Sequence, residues 1–387
     1  MKILMALTYY YPHWTGLTAF AKRMAEALVA RGHAVTVVTS QYDPALPQED
    51  EHAGVRIVRV PAWLRLSRGQ VMPGFASTVW RLVREHDVIQ THTPMLETWL
   101  VAQLAHRAGR KMLMTHHGDL IMPAGLWNQI VQRGVGYMLD RGAAAADVIS
   151  IYTEDYAANS SFLRPYGDKL AYIFPPVVFP KPDNGAVAAW REELGLNGRP
   201  VIGFAGRFVE EKGFDYLLQA MPLVRRAFPD AILAFAGECN VVYEDFYGRC
   251  LPLIEAQRDH LALLGLLTDA QRVADFYAMC DVFALPSRSD CLASVQVEAM
   301  LSGTPVVATN IPGARQAVKR SGMGLLVEPR NPQALAEGLI EVLSHRERYY
   351  KPYDAIHTVF DPDRSIDEYE RLFQAMIDGQ PYSGQES

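Results

Sequence analysis

Eleven residues, Phe174 to Asn184, divide the chain, because FPPVVFPKPDN carries four prolines. Each proline removes a backbone N–H donor and fixes φ, so this stretch suits neither a central strand nor a helix and reads as a linker. On either side the same pattern runs, short apolar strands alternating with longer helical segments. Before the linker, strands are expected at Lys2–Leu7, Ala34–Thr39, Val55–Val60, Val88–Thr91, Lys111–Thr115, Val148–Tyr152 and Leu170–Phe174, with a helix over Leu17–Arg31 stopped by Gly32. After it, they are expected at Val201–Ala205, Ala231–Ala236, Leu261–Gly265, Val282–Leu285, Pro305–Thr309 and Gly324–Val327, with a last helix over Arg364–Ile377 and a frayed tail beyond Asp378. Strand, helix, parallel strand is the βαβ unit, so each half predicts an α/β domain with a parallel sheet. The 387 residues also suit two domains of about 150–200 residues better than one core.

Composition narrows the class. Apolar residues make up 49% and charged residues 21%, as in soluble globular enzymes, and no internal repeat or low-complexity run is visible. The four cysteines, Cys239, Cys250, Cys280 and Cys291, lie in the second half without a CxxC pair. That argues for reduced thiols and against a disulfide frame or zinc site. Met1 to Leu7 turns polar too soon for a secretory signal, and no apolar run is long enough to span a membrane, so a cytoplasmic protein is expected. The net charge is −6 but uneven: residues 1–190 carry 18 Lys and Arg against 15 Asp and Glu, whereas residues 191–387 carry 19 against 28. This is either a chance surface imbalance or a sign that the first half meets an anionic partner.

Two turns in the second half suit an anion. Phe283 to Gly313 reads as the end of a strand, a polar turn Pro286–Asp290, a helix beginning near Leu292 with Glu298 near its middle, and a further strand. Free N–H groups at the helix start, with a dipole equivalent to about half a positive charge, favour a phosphate there. Carboxylates would repel that phosphate but accept hydrogen bonds from sugar hydroxyls, which is the chemistry Asp290 and Glu298 offer. Gly206 to Gly213, GRFVEEKG, follows a strand and opens the next helix, delivering Arg207 and Lys212. Arginine forks onto two phosphate oxygens, and lysine acts as a point charge. In the first half the loop Tyr9–Thr18, with Gly16, and the strand-end residues His92, His116, His117 and Asp119 lie where open α/β sheets bind ligands. Adjacent His116 and His117 point in different directions, so at most one of them reaches a reaction centre. Metal ligation is disfavoured, since no second cluster has matching spacing.

These motifs resemble the retaining glycosyltransferases of family 4. That family's donor signature has two glutamates flanking seven residues, then alanine and, a few positions on, Gly-x-Pro-Val-Val. Glu298-Ala299 and Gly303-Thr304-Pro305-Val306-Val307 match it, while Asp290 stands for the first glutamate and Cys291-Leu292-Ala293 for the usual Gly-Phe-Gly. Gly206-Arg207 with Lys212-Gly213 matches a second family motif, and Thr115-His116-His117 matches its Thr-x-His. Thr15-Gly16, followed by Gly32-His33, keeps half of its Gly-Gly loop pattern.

The resemblance covers nearly the whole chain and implies the GT-B architecture, two Rossmann-like doubly wound domains facing across a cleft. Residues 1–178 would bind acceptor, completed by a crossover helix in 362–387, and residues 179–361 would bind the nucleotide sugar. The implied reaction is transfer from a nucleoside-diphosphate sugar to a hydroxyl acceptor with retention, a UDP-sugar ranking first and GDP-mannose second. Arg207 and Lys212 would stabilise the departing diphosphate, with Gly16 and the backbone of Leu292, Ala293 and Ser294 near the phosphates. Glu298 would hold the ribose, Asp290 the sugar hydroxyls, and His117 would contact the transferred sugar. Gly265, Leu266 and Leu267 would pass the base, and His92 and Asp119 are acceptor candidates. No metal and no other cofactor is expected, because Arg207, Lys212 and the helix start would stabilise the diphosphate, and no carboxylate base is needed where a donor phosphate oxygen takes the acceptor proton. Asp361-Pro362-Asp363, the single Asp-x-Asp, reads as a helix cap.

Pro61–Glu85 interleaves Trp63, Leu64, Leu66, Val71, Met72, Phe75, Trp80 and Leu82 with Arg65, Arg68, Arg81 and Arg84. Such a segment fits a lipid interface, or equally a helix packed on the core with solvated arginines. It tilts the expected acceptor towards a lipid or lipid-linked glycan, with peripheral association on the inner face of an anionic membrane. No nucleic-acid partner is expected. Three rivals stand beside the transferase. A phosphorylase-like enzyme needs a pyridoxal-phosphate lysine in a longer chain, and a nucleotide-sugar epimerase would not be expected to carry both residue pairs. A catalytically weak nucleotide-sugar-binding protein is favoured by Asp290 and the missing glycines.

Overall fold

The computed structural model describes residues 1–66, 69–120, 126–241 and 244–382, so Arg68 lies outside the described residues, as does the end of the tail. Two compact units form, Met1–Pro176 with Pro362–Ser387, and Val177–Asp361.

In chain order the first unit holds β1 (Lys2–Ala6), β2 (Ala34–Gln41), β3 (Glu49–His52), β4 (Val55–Pro61), β5 (Leu64–Leu66), β6 (Gly69–Val71), β7 (Val88–Thr93), β8 (Lys111–His116), β9 (Val148–Ile151) and β10 (Leu170–Tyr172). Eight of them make one sheet in the order β10-β9-β8-β7-β1-β2-β4-β3, parallel except for the β3–β4 edge, and β5–β6 form a separate antiparallel hairpin. Strands covered on both faces need apolar or internally bonded side chains throughout, and all six residues of β7 are buried. The helix Gly16–Ala30 follows β1, with Thr15 capping it through a reciprocal pair of hydrogen bonds with Thr18. Phe20, Ala21, Met24, Ala25 and Leu28 recur at helical spacing and face the sheet, all of them buried.

The helix Pro362–Asp378 belongs to this unit and begins at the proline of Asp361-Pro362-Asp363. It buries Ile366, Tyr369, Leu372 and Phe373. Its outer side is held by Arg31, which pairs with Asp363 at 3.1 Å, with Glu370 at 2.5 Å and with Asp367. His33 Nε2 also meets Glu370 at 2.5 Å.

The second unit holds β11 (Val201–Ala205), β12 (Ile232–Ala236), β13 (Leu261–Gly265), β14 (Val282–Leu285), β15 (Val306–Thr309) and β16 (Gly324–Val327). They form a wholly parallel sheet in the order β13-β12-β11-β14-β15-β16, and the order reverses between β11 and β14. Phe204, Phe208, Phe214 and Phe235 pack as one aromatic cluster with ring centroids 4.8–5.5 Å apart. Phe208 lies inside the Gly206–Gly213 turn and is fully buried, so it pins that turn to the core. Truncating it to alanine is expected to cost about 3–5 kcal/mol.

Pro61–Glu85 is neither one helix nor wholly exposed. After the hairpin, a helix spans Phe75–Val83 and buries Phe75, Val79, Leu82 and Val83, while Trp63 at 80% and Leu64 at 56% stay exposed.

Candidate active site

In doubly wound sheets ligands bind beyond the carboxyl ends of the strands, where the strand order reverses. In the second unit that point lies between β11 and β14, and both charged motifs leave these two strands. The turn after β11 tightens over Glu210–Lys212 and ends at Gly213 with φ 68°. A Cβ there would stand 2.0 Å from the Pro286 carbonyl oxygen, so glycine alone lets this turn close on the one after β14. Further contacts join the two turns. Arg288 donates its backbone N–H to Glu211 at 2.7 Å and forks onto Asp215 at 2.9 and 2.7 Å.

This packing sets Lys212 Nζ 2.7 Å from Asp290 Oδ2, with the two side chains 20% and 9% exposed. Burial pulls the Lys212 ammonium down, but the Asp290 and Glu211 carboxylates outweigh it and hold the group above its ordinary value. Ser287 donates a further bond to the same Asp290 oxygen at 3.3 Å. Arg207 is more open and pairs with Glu211 at 3.6 Å, a surface contact worth about 0–1 kcal/mol. Asp290 also bridges to Gly313, where φ is 82° and a Cβ would lie 2.1 Å from the Cys291 carbonyl oxygen.

The helix expected from Leu292 begins at Ser294, because Ala293 is still extended, and Ala293 supplies no side-chain cap. Glu298 is 7% exposed within this helix and accepts a hydrogen bond from the Tyr277 hydroxyl at 3.2 Å. Gly265 ends β13 and accepts from Gly237 N–H at 2.8 Å, with Leu266 exposed beyond it.

In the first unit the order reverses between β1 and β7. His92 sits on β7 and His117 just beyond β8, and the parallel register of those strands brings the rings together. His92 Nδ1 lies 2.9 Å from His117 Nε2, and His117 Nδ1 lies 2.5 Å from the Tyr152 hydroxyl. Phe20 from the helix after β1 meets both rings edge-on, at 5.8 and 4.9 Å. His92 is fully buried, its Nε2 has no hydrogen-bond partner among the described residues, and burial lowers its pKa to about 3. His117 lies well below its ordinary value, by burial first and then by the neighbouring His92 and His116. The three side chains form an uncharged chain at neutral pH. Since both ring nitrogens of His117 are engaged, a ligand reaches one only by displacing Tyr152 or His92.

His116 is turned away from this chain, bonded to Thr93 at 3.1 Å and Asp119 at 3.0 Å and stacked on Phe162. Asp119 also accepts from Ser160 at 2.8 and 2.9 Å. Burial raises its pKa, and the bonds from His116 and Ser160 more than reverse this, leaving it below the usual value. Asp119 thereby ties the loop after β8 to the segment around Ser160. Gly16 is the first residue of its helix, with open space where a Cβ would be. Tyr152, Tyr277 and Arg288 escaped sequence reasoning. Tyr152 carried one usable signal, its position at the expected carboxyl end of the strand beside Lys111–Thr115. Among the described residues no group of three or more His, Cys, Asp or Glu could hold a metal ion, and no helix is long and apolar enough to cross a membrane.

Two family models match the chain, Glycosyl transferases group 1 over residues 187–356 and Glycosyl transferase 4-like domain over residues 15–173. The chain is 29% identical over 365 residues to the GDP-mannose-dependent alpha-(1-6)-phosphatidylinositol monomannoside mannosyltransferase of Mycolicibacterium smegmatis, covering 89% of this chain and 90% of the relative. It is 29% identical to the D-inositol 3-phosphate glycosyltransferase of Xylanimonas cellulosilytica, covering 85% and 83%. Among solved structures, HepE of Anabaena in complex with UDP-glucose superposes with a TM-score of 0.77 at 19% identity, over 97% of this chain and 100% of that one.

Proposed function

The chain belongs to the group 1 glycosyltransferases and has their GT-B fold, and from this premise we propose that it moves a sugar from a nucleoside-diphosphate sugar to a hydroxyl acceptor with retention of configuration. The second unit takes the donor and the first the acceptor. Sequence reasoning ranks a UDP-sugar ahead of GDP-mannose. The mannosyltransferase of M. smegmatis uses GDP-mannose, which makes that the first donor to test beside UDP-glucose.

The observation that carries this reading is the contact of Lys212 with Asp290 at the strand-order reversal, a phosphate-type cation beside a hydroxyl-accepting carboxylate. When a donor enters, Lys212 and Arg207 turn to the diphosphate, released Asp290 accepts from sugar hydroxyls, and Glu298 holds the ribose. Backbone N–H groups from Leu292 to Ser294 meet the phosphates, the strand end Gly265–Leu267 borders the base, and His117 exchanges its Tyr152 bond for a sugar hydroxyl. The acceptor oxygen bonds to the anomeric carbon on the face that the diphosphate leaves, the carbon–phosphate oxygen bond breaks, and the acceptor proton passes to a phosphate oxygen. A single cation–phosphate contact is worth at most about 4 kcal/mol near the protein surface. Enzymatic barriers fall by about 8–23 kcal/mol, so orientation of the acceptor supplies much of the remainder. No metal is required in this scheme.

The proposed acceptor is a lipid or lipid-linked glycan, with the protein peripheral on the cytoplasmic face of an anionic membrane. Exposed Trp63, Leu64 and Trp80 among Arg65, Arg81 and Arg84 support this. Anionic vesicles should bind the protein at low salt, and absence of binding there sinks the lipid acceptor.

The transferase itself is tested by thermal shift with UDP, GDP, ADP and their sugar conjugates, without metal and then with magnesium. Stabilisation by one diphosphate without metal, followed by turnover of its sugar conjugate, is the expected result. Stabilisation without turnover would favour a binding protein, and no stabilisation by any of them would remove the donor site.

A further inference from the structure

Three neighbouring strands of the first sheet end in polar side chains that share one face. His92 pairs in register with Thr115, and Thr115 with Ser150. His117 and Tyr152 each stand two residues further on, so they lie level with one another and on the same face as His92. His117 is in the middle, its Nε2 2.9 Å from His92 Nδ1 and its Nδ1 2.5 Å from the Tyr152 hydroxyl. Phe20 covers all three rings, with centroids 4.9–5.8 Å away. His92 has no exposed surface at all, whereas His117 is partly exposed.

The protons of such a row are correlated. Each neutral imidazole carries one N–H and one bare nitrogen, so two rings and a hydroxyl joined in line can be ordered in only two ways. If Tyr152 donates to His117 Nδ1, then His117 donates from Nε2, and His92 is left with an N–H on its own Nε2. If His92 donates from Nδ1 instead, His117 accepts at Nε2 and donates from Nδ1 to the tyrosine oxygen, and the nitrogen left over at His92 is bare. That last nitrogen is sealed from water and has no partner among the described residues. An orphaned N–H is the rarer fate of a buried polar group, while a tyrosine hydroxyl serves equally as donor or acceptor. The sealed end therefore decides the order.

We propose that His92 is a positioning residue: its Nδ1–H donates to His117 Nε2, so that His117 carries its proton on Nδ1 and offers it to a sugar oxygen that displaces Tyr152. The inference deepens the transferase reading and rests on it. A free neutral imidazole exchanges between its tautomers, and the partner of one nitrogen fixes which of them is kept. The choice matters because the anomeric carbon gains positive character as its bond to the leaving group breaks, and an imidazolium beside it would oppose that charge. A neutral ring presenting an N–H gives the sugar oxygen a donor and sets no charge against the carbon.

The test is nuclear magnetic resonance of the whole chain with histidine labelled by nitrogen-15, since the shifts of the ring nitrogens separate N–H from bare nitrogen. His92→Leu and His117→Ala identify the two rings by the signals they remove. Both rings are expected with the proton on Nδ1 at neutral pH, and in His92→Leu the preference of His117 should be lost. His92→Asn is the rescue, because an asparagine amide N–H can take the place of Nδ1–H and should keep the His117 tautomer. With the sugar conjugate selected by thermal shift, kcat should fall at least about tenfold in His92→Leu and stay within about threefold of the parent in His92→Asn. Stabilisation by the diphosphate should be the same in both, which also shows that they fold. A proton on Nε2 of His117 in the parent overturns the inference. An undiminished kcat in His92→Leu, or a loss in His92→Asn as deep as that in His92→Leu, overturns it as well. If no diphosphate binds and no sugar is transferred, the transferase reading fails by itself, and the nitrogen shifts still decide whether His92 orients His117.

Discussion

The two sheets place their candidate groups at the same topological position and treat charge in opposite ways. At the reversal in the second unit, Lys212 meets Asp290 at 2.7 Å in a nearly buried ion pair. At the reversal in the first unit, His92, His117 and Tyr152 form a chain with no charge, although two of its three members are bases. A phosphate can replace Asp290 as the partner of Lys212 with little change in local charge, so the second unit is ready for an anion. An anion beside His117 would find no cation in that chain. In the proposed reading, the leaving group belongs to the unit with the ion pair and neutral contact to the other.

Removing the charge should break the comparison most visibly. In Lys212→Ala, kcat/KM is expected to fall by about 10²–10³-fold, and stabilisation by the diphosphate should disappear. The variant should also melt lower, because Asp290 is left nearly buried without its counter-ion. Adding Asp290→Asn should restore the melting temperature and not the binding. Undiminished diphosphate affinity in Lys212→Ala would take the lysine out of the site.

His117→Ala sharpens the contrast from the other side. Turnover should fall roughly ten- to hundredfold, as for loss of one well-placed hydrogen bond, while diphosphate affinity stays constant in calorimetry. A comparable loss of diphosphate affinity would mean that the histidine chain serves the phosphates after all.

The uncharged state of the chain is itself measurable. The folded pKa of His92, about 3, lies below its unfolded value of 6.5, so the unfolded chain takes up the proton first as pH falls. Its contribution to stability is complete above the unfolded value and is lost as pH drops towards the folded one. At pH 5 this loss amounts to about 2 kcal/mol relative to pH 7. Melting curves across that range should show it, and His92→Asn should flatten the slope. A slope that survives the substitution would show that His92 does not supply it.

Asp119→Asn should give the smallest effect. Weakened bonds to His116 and Ser160 are expected to lower stability by about 1 kcal/mol, with the acceptor KM unchanged. A raised KM without a change in melting temperature would place Asp119 in acceptor binding.

The sheets were legible because their strands are runs of apolar residues, and each expected strand occurs within two residues of its observed bounds. Glu49–His52 was invisible, since four polar residues at an antiparallel edge carry no apolar alternation. The β5–β6 hairpin was hidden for another reason. Two strands of three residues are too short to show a period, and the apolar and basic residues of Leu64–Leu66 read equally as a helix face. Within the site, Arg207, Lys212, Asp290 and Glu298 could be read as local motifs. What they touch could not, because Lys212 and Asp290 are 78 residues apart and meet only through the closure of Gly213 on Pro286. His117 and Tyr152 were each legible as strand-end residues, but their contact is set by the alignment of neighbouring strands. The bond from Ser160 to Asp119 was hidden in the same way, because the two lie 41 residues apart.

The helix Pro362–Asp378 packs against the unit that contains residues 1–176, so the second unit is an insertion within the first. During synthesis from the N-terminus, residues 177–361 therefore emerge, and can fold as a complete body, before the first unit has its last helix. Until then Tyr369 and Phe373 are missing from the core beside Ser150, and Arg31 and His33 lack their carboxylates. The half-built first unit exposes apolar surface during that interval, when chaperones have most to bind. Truncation before Pro362 would extend this vulnerable state indefinitely while leaving the second unit intact.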